Sequence, residues 1–331
     1  MPILTGREQV LAVYETAARK GWVIPCFCSE NLTTTEAILT AASQFARKHG
    51  HDRIPITLAI TNQYGHRSQS ANYTSTRRWD IGLALFRSDL EIVSGLFPNL
   101  DILIHLDHAQ HDTDAELLDS DLSLYSSVMY DASALPLEEN IAKTRSYVQR
   151  KGNEIVIEGA CDEIVDAAGD IRCQITDAEV CARYKAETGV DIVVANLGTE
   201  HRASGQNLHY RADAANAIRE KIGPKICLHG TSSVSNDQIG RLFGDGICKV
   251  NIWTALERDA APALTEFIIK NAAKCGGPQL EERLMAEGYL PPSRKTGDKA
   301  SLQHFTTTAR QTIIFEEMQK IVQSYLELWY I

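Results

Sequence analysis

No window of the chain approaches eighteen consecutive apolar residues, which excludes a conventional membrane-spanning helix. The eight cysteines lack the paired spacing of a zinc knuckle or a thioredoxin motif. They read as reduced residues of a cytoplasmic protein: Cys227 and Cys248 sit as small hydrophobes inside apolar runs, and Cys26 and Cys28 read as strand residues rather than a metal or redox pair. Positive charge is also short, since 33 Lys and Arg stand against 43 Asp and Glu, for a formal net charge of -10. That balance gives no general attraction to nucleic acid or to an anionic membrane. Any anion is therefore recognised by local groups, and the expected partner is a small molecule. No internal repeat or low-complexity segment stands out. The opening stretch, Met1 to Lys20, mixes Arg7, Glu8, Glu15, Arg19 and Lys20 with apolar positions at helical spacing, the pattern of a helix and not of a signal peptide.

What is present is an alternation. Short apolar or β-branched runs occur at 22–28, 54–61, 101–108, 127–132, 155–160, 191–197, 225–230 and 246–252. Helical periodicity fills the gaps, and several gaps open with a capping box: Thr33 with Glu36, Thr113 with Glu116, Thr176 with Glu179, and Ser235 with Gln238. Strand followed by capped helix is the pattern of a parallel sheet, and eight such units close a (β/α)8 barrel; an open doubly wound sheet is the alternative. With 331 residues, 44% of them hydrophobic, the chain can bury such a barrel as one α/β domain over 1–331. The barrel is expected over about 20–275, with a C-terminal helical extension over about 276–331. The extension ends on a helix so apolar, through Trp329, Tyr330 and Ile331, that it must dock on the barrel or on another subunit, and a homo-oligomer is expected, a dimer or tetramer. Two loops exceed what a strand-to-helix connection needs, Asn62 to Arg78 and Cys161 to Ile175, and both should rise over the barrel mouth.

His108, His201 and His229 each follow an apolar run, where a strand gives way to a loop. A parallel barrel brings such ends together at its carboxyl-terminal face, and a catalytic zinc takes three protein ligands and keeps one position open. The spacing thus predicts an architecture and a metal site together. His105 and His111 extend the pattern around His108, but on an extended strand all three cannot share a side, so neither is expected to ligate. Asp107, beside His108, is placed to hold or pass a proton. Gly230, Thr231 and Ser232 leave the seventh run and Asn251 to Thr254 close the eighth, a setting in which backbone amides and hydroxyls grip an anion; Gly198 and Thr199 add similar groups after the sixth.

These motifs, in this order, resemble the class II, metal-dependent fructose-bisphosphate and tagatose-bisphosphate aldolases from about Ile24 to Leu256. The matching segments are His105-Leu106-Asp107-His108, Ser127 to Ser133 with Pro136 to Asn140, Gly198-Thr199-Glu200-His201, Leu228-His229-Gly230 and Lys249-Val250-Asn251. The resemblance implies a TIM barrel in which His108, His201 and His229 bind zinc or another divalent transition metal, with room for a monovalent cation. It further implies that Asp107 is the acid/base at the aldol hydroxyl, and that Thr61, Gly230, Ser232, Asn251 and Thr254 contact the substrate or its phosphate. The implied reaction is reversible cleavage of a phosphorylated or similarly anionic ketose into a dihydroxyacetone-phosphate-like ketone and an aldehyde, through a zinc-stabilised enediolate.

Several positions depart from the family pattern. Ile157-Glu158-Gly159-Ala160-Cys161-Asp162 stands for Val-Glu-x-Glu-Leu-Gly, so Ala160 replaces an accessory metal glutamate while Glu158 remains as a candidate ligand. The mobile-loop glutamate that removes the ketone proton has Glu163, or Asp166, as its substitute. Arg202 replaces a glycine and offers a cation to an anionic substrate, and Trp253 and Ala255 replace polar residues in the eighth-strand motif. Two competing readings are a catalytically silent barrel that binds a sugar phosphate or supports a partner enzyme, and a barrel metal hydrolase.

Overall fold

The computed structural model describes residues 2–162, 175–199 and 210–331. Eight strands close into a parallel barrel in sequence order: β1 (Ile24–Cys28), β2 (Ile54–Thr61), β3 (Leu100–Gln110), β4 (Ser127–Asp131), β5 (Val156–Ala160), β6 (Ile192–Val194), β7 (Ile226–Leu228) and β8 (Ile247–Ile252). Each coincides with one of the apolar runs, and β8 pairs back to β1 through Ile24↔Lys249 to Phe27↔Ile252. The strands are buried on both faces, as parallel strands covered by helices must be, which is why they read as continuous apolar runs rather than as alternation.

The capping boxes mark the right gaps, but three of the four name the wrong residue. Asn31 caps the helix Leu32–Lys48, its side chain accepting from the Thr34 amide, and Asp177 caps Ala178–Thr188 through the Glu179 and Val180 amides. Both are extended at the cap and carry the stronger capping side chain, two positions before the predicted Thr33 and one after the predicted Thr176. At the third box the cap position is Asp114, whose carboxylate accepts instead from the Gln110 amide at 2.9 Å and from the Asn62 side chain at 2.8 Å, tying the end of β3 to the loop after β2. Only Ser235 occupies the cap predicted for it.

The Gly- and Pro-rich stretch after residue 276 contains a nine-residue helix, Pro278–Ala286, with proline at its first position. The last helix, Thr307–Trp329, lies along Leu32–Lys48 and Thr254–Lys270. Met318, Val322, Leu326 and Trp329 are its buried stripe, each contributing roughly 1.5–3 kcal/mol by burial. Trp329 Nε1 donates to the Ile239 carbonyl at 2.9 Å and the Tyr330 hydroxyl to the Pro55 carbonyl at 2.7 Å. Of the two docking partners expected for this apolar end, the chain's own barrel takes it.

Candidate metal centre and active site

The centre is set by an irregularity in β3. Its register with β4 runs His105↔Ser127 and Leu106↔Val128, then resumes at Ala109↔Tyr130, so β3 carries one extra residue between Leu106 and Ala109. His108 sits in that bulge with φ 47°, in the left-handed region that non-glycine residues rarely enter. Strict alternation would send Asp107 and His108 to opposite faces; with the bulge both line one pocket at the carboxyl-terminal mouth.

His108 Nε2 lies 3.0 Å from His229 Nδ1, and both rings are buried. One ligand atom from each of Asp107, His108 and His229 falls within 4.8 Å of the others. Asp131 Oδ2 sits 2.7 Å from His108 Nδ1, and that carboxylate is steadied by the Ser133 amide and hydroxyl at 3.1 and 2.6 Å and by Gln110 Nε2 at 3.0 Å. Donation from Nδ1 to Asp131 leaves Nε2 with its lone pair facing His229, the arrangement a metal ligand requires. Asn251 Nδ2 donates to Asp107 Oδ1 at 2.9 Å and lies 3.1 Å from His229 Nε2, so one amide bridges the carboxylate and the second imidazole. Two imidazoles and a carboxylate converging at this distance fit a divalent transition metal.

Burial alone would push the Asp107 carboxyl up, but the charge on His108, the nearby His105 ring with its Nε2 3.8 Å away, and the charge of His229 hold it well below the usual carboxylate range. Burial opposes charge on His108 as well, and Asp107 and Asp131 overcome it, raising the imidazole above its ordinary value. The pocket thus stores paired charge where a cation would replace a proton.

Glu158 lies deeper. Its Oε1 is 2.8 Å from Lys249 Nζ and its Oε2 3.5 Å from His105 Nε2, with all three side chains fully buried. It forms a second cluster with Cys227 and His229. The Lys249 ammonium already answers its charge, a circumstance invisible in the sequence. His105 also touches Ser127 Oγ at 2.8 Å, and His111 sits 3.3 Å from Asp112, so neither belongs to the His108–His229 pair.

The anion-gripping groups gather between β7 and β8. Gly230, Thr231, Ser232, Asn251 and Thr254 line the pocket, and Gly230 adopts φ 69°, which its lack of a Cβ permits. Thr231 Oγ1 donates to the Asn251 carbonyl at 2.6 Å and Thr199 Oγ1 to the His229 carbonyl at 2.7 Å, so both hydroxyls brace the turn. Thr254 opens a seventeen-residue helix, whose free amides favour an anion. Thr61 lines the pocket, but its hydroxyl is held between the Arg67 carbonyl and the Gln69 amide. Gly198, with φ 79°, is buried at the turn after β6, away from the lining. Glu163, Asp166, His201 and Arg202 lie outside the described residues.

The loop from Asn62 to Arg78 does rise over the mouth, bringing its His66 and Arg67 to the pocket together with Tyr64, which the sequence did not single out. The Tyr64 ring stacks on His108 at 4.3 Å with 5° between planes, His66 lies 4.9 Å from Tyr64, and Arg67 covers Trp253 at 5.3 Å. Cys28 also faces the site, its Sγ 3.6 Å from Asp107 Oδ2. Seven described cysteines are free, six of them buried.

Fold and site together define a (β/α)8-barrel enzyme with a candidate metal centre at its active face. The chain belongs to the class-II fructose-bisphosphate aldolase family, whose model matches residues 8–328. It is 26% identical over 266 residues to the D-tagatose-1,6-bisphosphate aldolase subunit GatY of Klebsiella oxytoca, covering 77% of this chain and 84% of that protein. Identity to a fructose-bisphosphate aldolase of Streptococcus pyogenes serotype M3 is 27% over 270 residues, covering 76% and 80%. The crystal structure of the Campylobacter jejuni fructose-bisphosphate aldolase superposes with a TM-score of 0.74 at 18% identity, covering 99% of this chain and 95% of that one. The YdjI aldolase of Escherichia coli K12 gives 0.66 at 17% identity, covering 96% and 95%; at such identities the likeness speaks for the fold. The protein is a metal-dependent aldolase, a carbon-carbon lyase, and the silent-barrel alternative is not favoured. No helix among the described residues is long and apolar enough to cross a membrane.

Proposed function

We propose that this aldolase reversibly cleaves an anionic ketose phosphate to a dihydroxyacetone-phosphate-like ketone and an aldehyde, using zinc held by His108, His229 and His201. The observation that carries this is the 3.0 Å approach of His108 Nε2 to His229 Nδ1 beside the Asp107 carboxylate. A cation held by these side chains would supply Lewis acidity to the ketone oxygen of the substrate.

The protein's own groups do the rest. In cleavage, the Asp107 carboxylate takes the proton of the hydroxyl on the carbon beyond the scissile bond. That oxygen becomes the aldehyde carbonyl, the carbon-carbon bond breaks, and its electron pair passes to the ketone half. Asn251 keeps Asp107 aimed through its 2.9 Å hydrogen bond and is itself a substrate-contact candidate. Gly230, Thr231, Ser232 and Thr254 receive the phosphate with their amides and hydroxyls, supported by Gly198 from the neighbouring turn and by Thr61, which also braces the β2 loop. Arg202 adds a cation, and Glu163 returns the proton to the ketone carbon. Glu158, answered by Lys249, balances charge beneath the centre rather than completing the ligand set.

The same proposal includes a single barrel domain with a C-terminal helical extension, a cytoplasmic location and a homo-oligomer. Support for the last is the exposed apolar row Ile81, Leu85, Ile92 and Leu96 along and just beyond the helix Trp79–Ser94. The test is exchange of the C3 proton of dihydroxyacetone phosphate with deuterated solvent, with metal content measured alongside. Chelator-sensitive exchange, lost in His229→Ala, is the expected result; no exchange by zinc-loaded protein overturns the proposal.

A further inference from the structure

The two sides of the pocket differ in charge, and the difference bears on which aldehyde the enzyme accepts. Because β8 lies between β7 and β1 in the barrel, the anion side of the mouth, at the turns after β7 and β8, is bordered by a flank made of the turns after β1 and β2. On that flank the lining is Tyr64, His66 and Arg67 from the loop after β2, and Arg67 meets Trp253 at the end of β8. Arg67 is the one guanidinium among the described lining residues, and it is already engaged. Its Nε and Nη2 donate to Glu30 Oε1 and Oε2 at 2.7 and 2.5 Å, a fork-to-fork pair whose carboxylate is buried. A second carboxylate, Glu257, acts on the same guanidinium. Glu257 is itself largely buried, and burial with Glu30 nearby raises its carboxyl to about 7. The cation is thus paired with Glu30, with Glu257 adding negative charge nearby once it ionises, and its flat face is spent on the Trp253 ring.

We infer that Glu30 and Glu257 mask Arg67 so that this side of the pocket takes the uncharged, hydroxylated half of the ketose and rejects a second phosphate, making them specificity-determining residues. The inference rests on the proposed function and names its substrate class: a ketose with one phosphate, whose aldehyde product is an uncharged hydroxyaldehyde. A doubly charged phosphate brought to Arg67 meets a guanidinium already neutralised by the Glu30 carboxylate, and above pH 7 the charge of Glu257 as well, and repulsion of this kind is a common source of discrimination. The tryptophan, standing where the family pattern has a polar side chain, supplies an apolar ring edge suited to the carbon face of a sugar. The relatives compared above carry bisphosphate names, so this places the chain apart from them in substrate.

The test is condensation with dihydroxyacetone phosphate as donor, reading the ratio of kcat/KM for D-glyceraldehyde to that for D-glyceraldehyde 3-phosphate. The wild-type holoenzyme is expected to prefer the uncharged aldehyde by at least about tenfold. Glu30→Gln and Glu257→Gln, isosteric changes that uncover Arg67, are each expected to move the ratio about tenfold toward the phosphorylated aldehyde. Adding Arg67→Met to either is expected to reverse the gain. A wild-type preference for glyceraldehyde 3-phosphate overturns the inference without any variant having to fold, as does a ratio that neither Gln substitution moves. If proton exchange of dihydroxyacetone phosphate is also absent, the functional proposal falls and this inference with it; exchange combined with a phosphate preference overturns the inference alone.

Discussion

Asp131 is the residue whose replacement tests the metal centre most sharply, because it never has to touch the metal. Its Oδ2 faces His108 Nδ1 at 2.7 Å and Gln110 Nε2 at 3.0 Å, while its Oδ1 accepts from the Ser133 amide and hydroxyl at 3.1 and 2.6 Å. Four donors converge on two oxygens. Asp131→Asn keeps the volume but leaves one oxygen and one NH2, so the amide group must face donors on one of the two sides. If NH2 faces His108, the imidazole turns to its other tautomer, Nδ1 accepts, and Nε2 carries a hydrogen aimed at His229 Nδ1, where a ligand lone pair is needed. If NH2 faces Ser133, the turn that holds the side chain opens and His108 loses its fixed orientation. Either way the left-handed His108 keeps its backbone strain without the bond that justifies it.

Loss of such an orienting carboxylate typically lowers metal affinity or activity about 10- to 100-fold, or about 1.4 to 2.7 kcal/mol. The assay is competition for zinc between the apoprotein and a chromophoric chelator, run on wild type, Asp131→Asn and Ser133→Ala, with circular dichroism to confirm the fold. Ser133→Ala removes one of four bonds, so its expected loss is no more than a few-fold. Folded Asp131→Asn that binds zinc within threefold of wild type would refute the tautomer argument and with it the assignment of His108 as a ligand.

Asp107→Asn is expected to retain bound metal and to lower aldol cleavage by about 10²- to 10⁴-fold, measured by coupled aldehyde release; undiminished turnover would remove Asp107 from proton transfer. The Glu257 carboxyl, held near 7 in the folded chain against an ordinary 4.5, predicts a pH trend in stability. The folded state keeps the extra proton, so stability falls as pH rises from the unfolded value through 7 and then levels. Glu257→Gln should flatten that decline and be more stable than wild type at pH 8 by about 1–3 kcal/mol, read from urea midpoints at pH 5 and 8. Lys249→Met strands the buried Glu158 carboxylate and is expected to lower stability by about 3–5 kcal/mol, much of it restored in the Glu158→Leu, Lys249→Met double variant; an additive loss in the double would mean that the pair is not an isolated one. Trp329→Ala removes a buried ring and its bond to Ile239, for an expected loss of about 3–5 kcal/mol in the same urea titration.

The barrel was legible in the sequence because its signal is redundant. Eight apolar runs, each buried on both faces, stand apart from helical gaps whatever the exact cap, and misplacing a cap by one or two residues at Asn31 or Asp177 changes nothing in the topology. Asp107, His108 and His229 were legible for the related reason that a parallel barrel sends every strand end to the same mouth. The partners that tune them were not. Lys249 reads as one residue of an apolar strand, and only the closure of β8 against the rest of the barrel delivers its ammonium to Glu158. Tyr64 belongs to a polar loop whose path is fixed by Asp114 and Arg67, contacts that span 52 and 37 residues of chain.

The sharpest case is His108 itself. Alternation along a strand, the rule by which His105, His108 and His111 could not share a side, also forbids Asp107 and His108 from doing so, yet both line the pocket. One inserted residue between Leu106 and Ala109 resolves the conflict at the cost of a left-handed histidine. Such a conformation costs on the order of 1–3 kcal/mol and persists only where the surroundings fix it. Here the bond to Asp131 and the Tyr64 stack hold the ring on either side of that backbone. The bulge therefore has a functional reading: it places a proton-transfer group and a metal-ligand candidate on consecutive residues. A histidine in a regular strand would have had to stand two residues away, about 6.6 Å along the strand, too far for one small substrate oxygen to reach both.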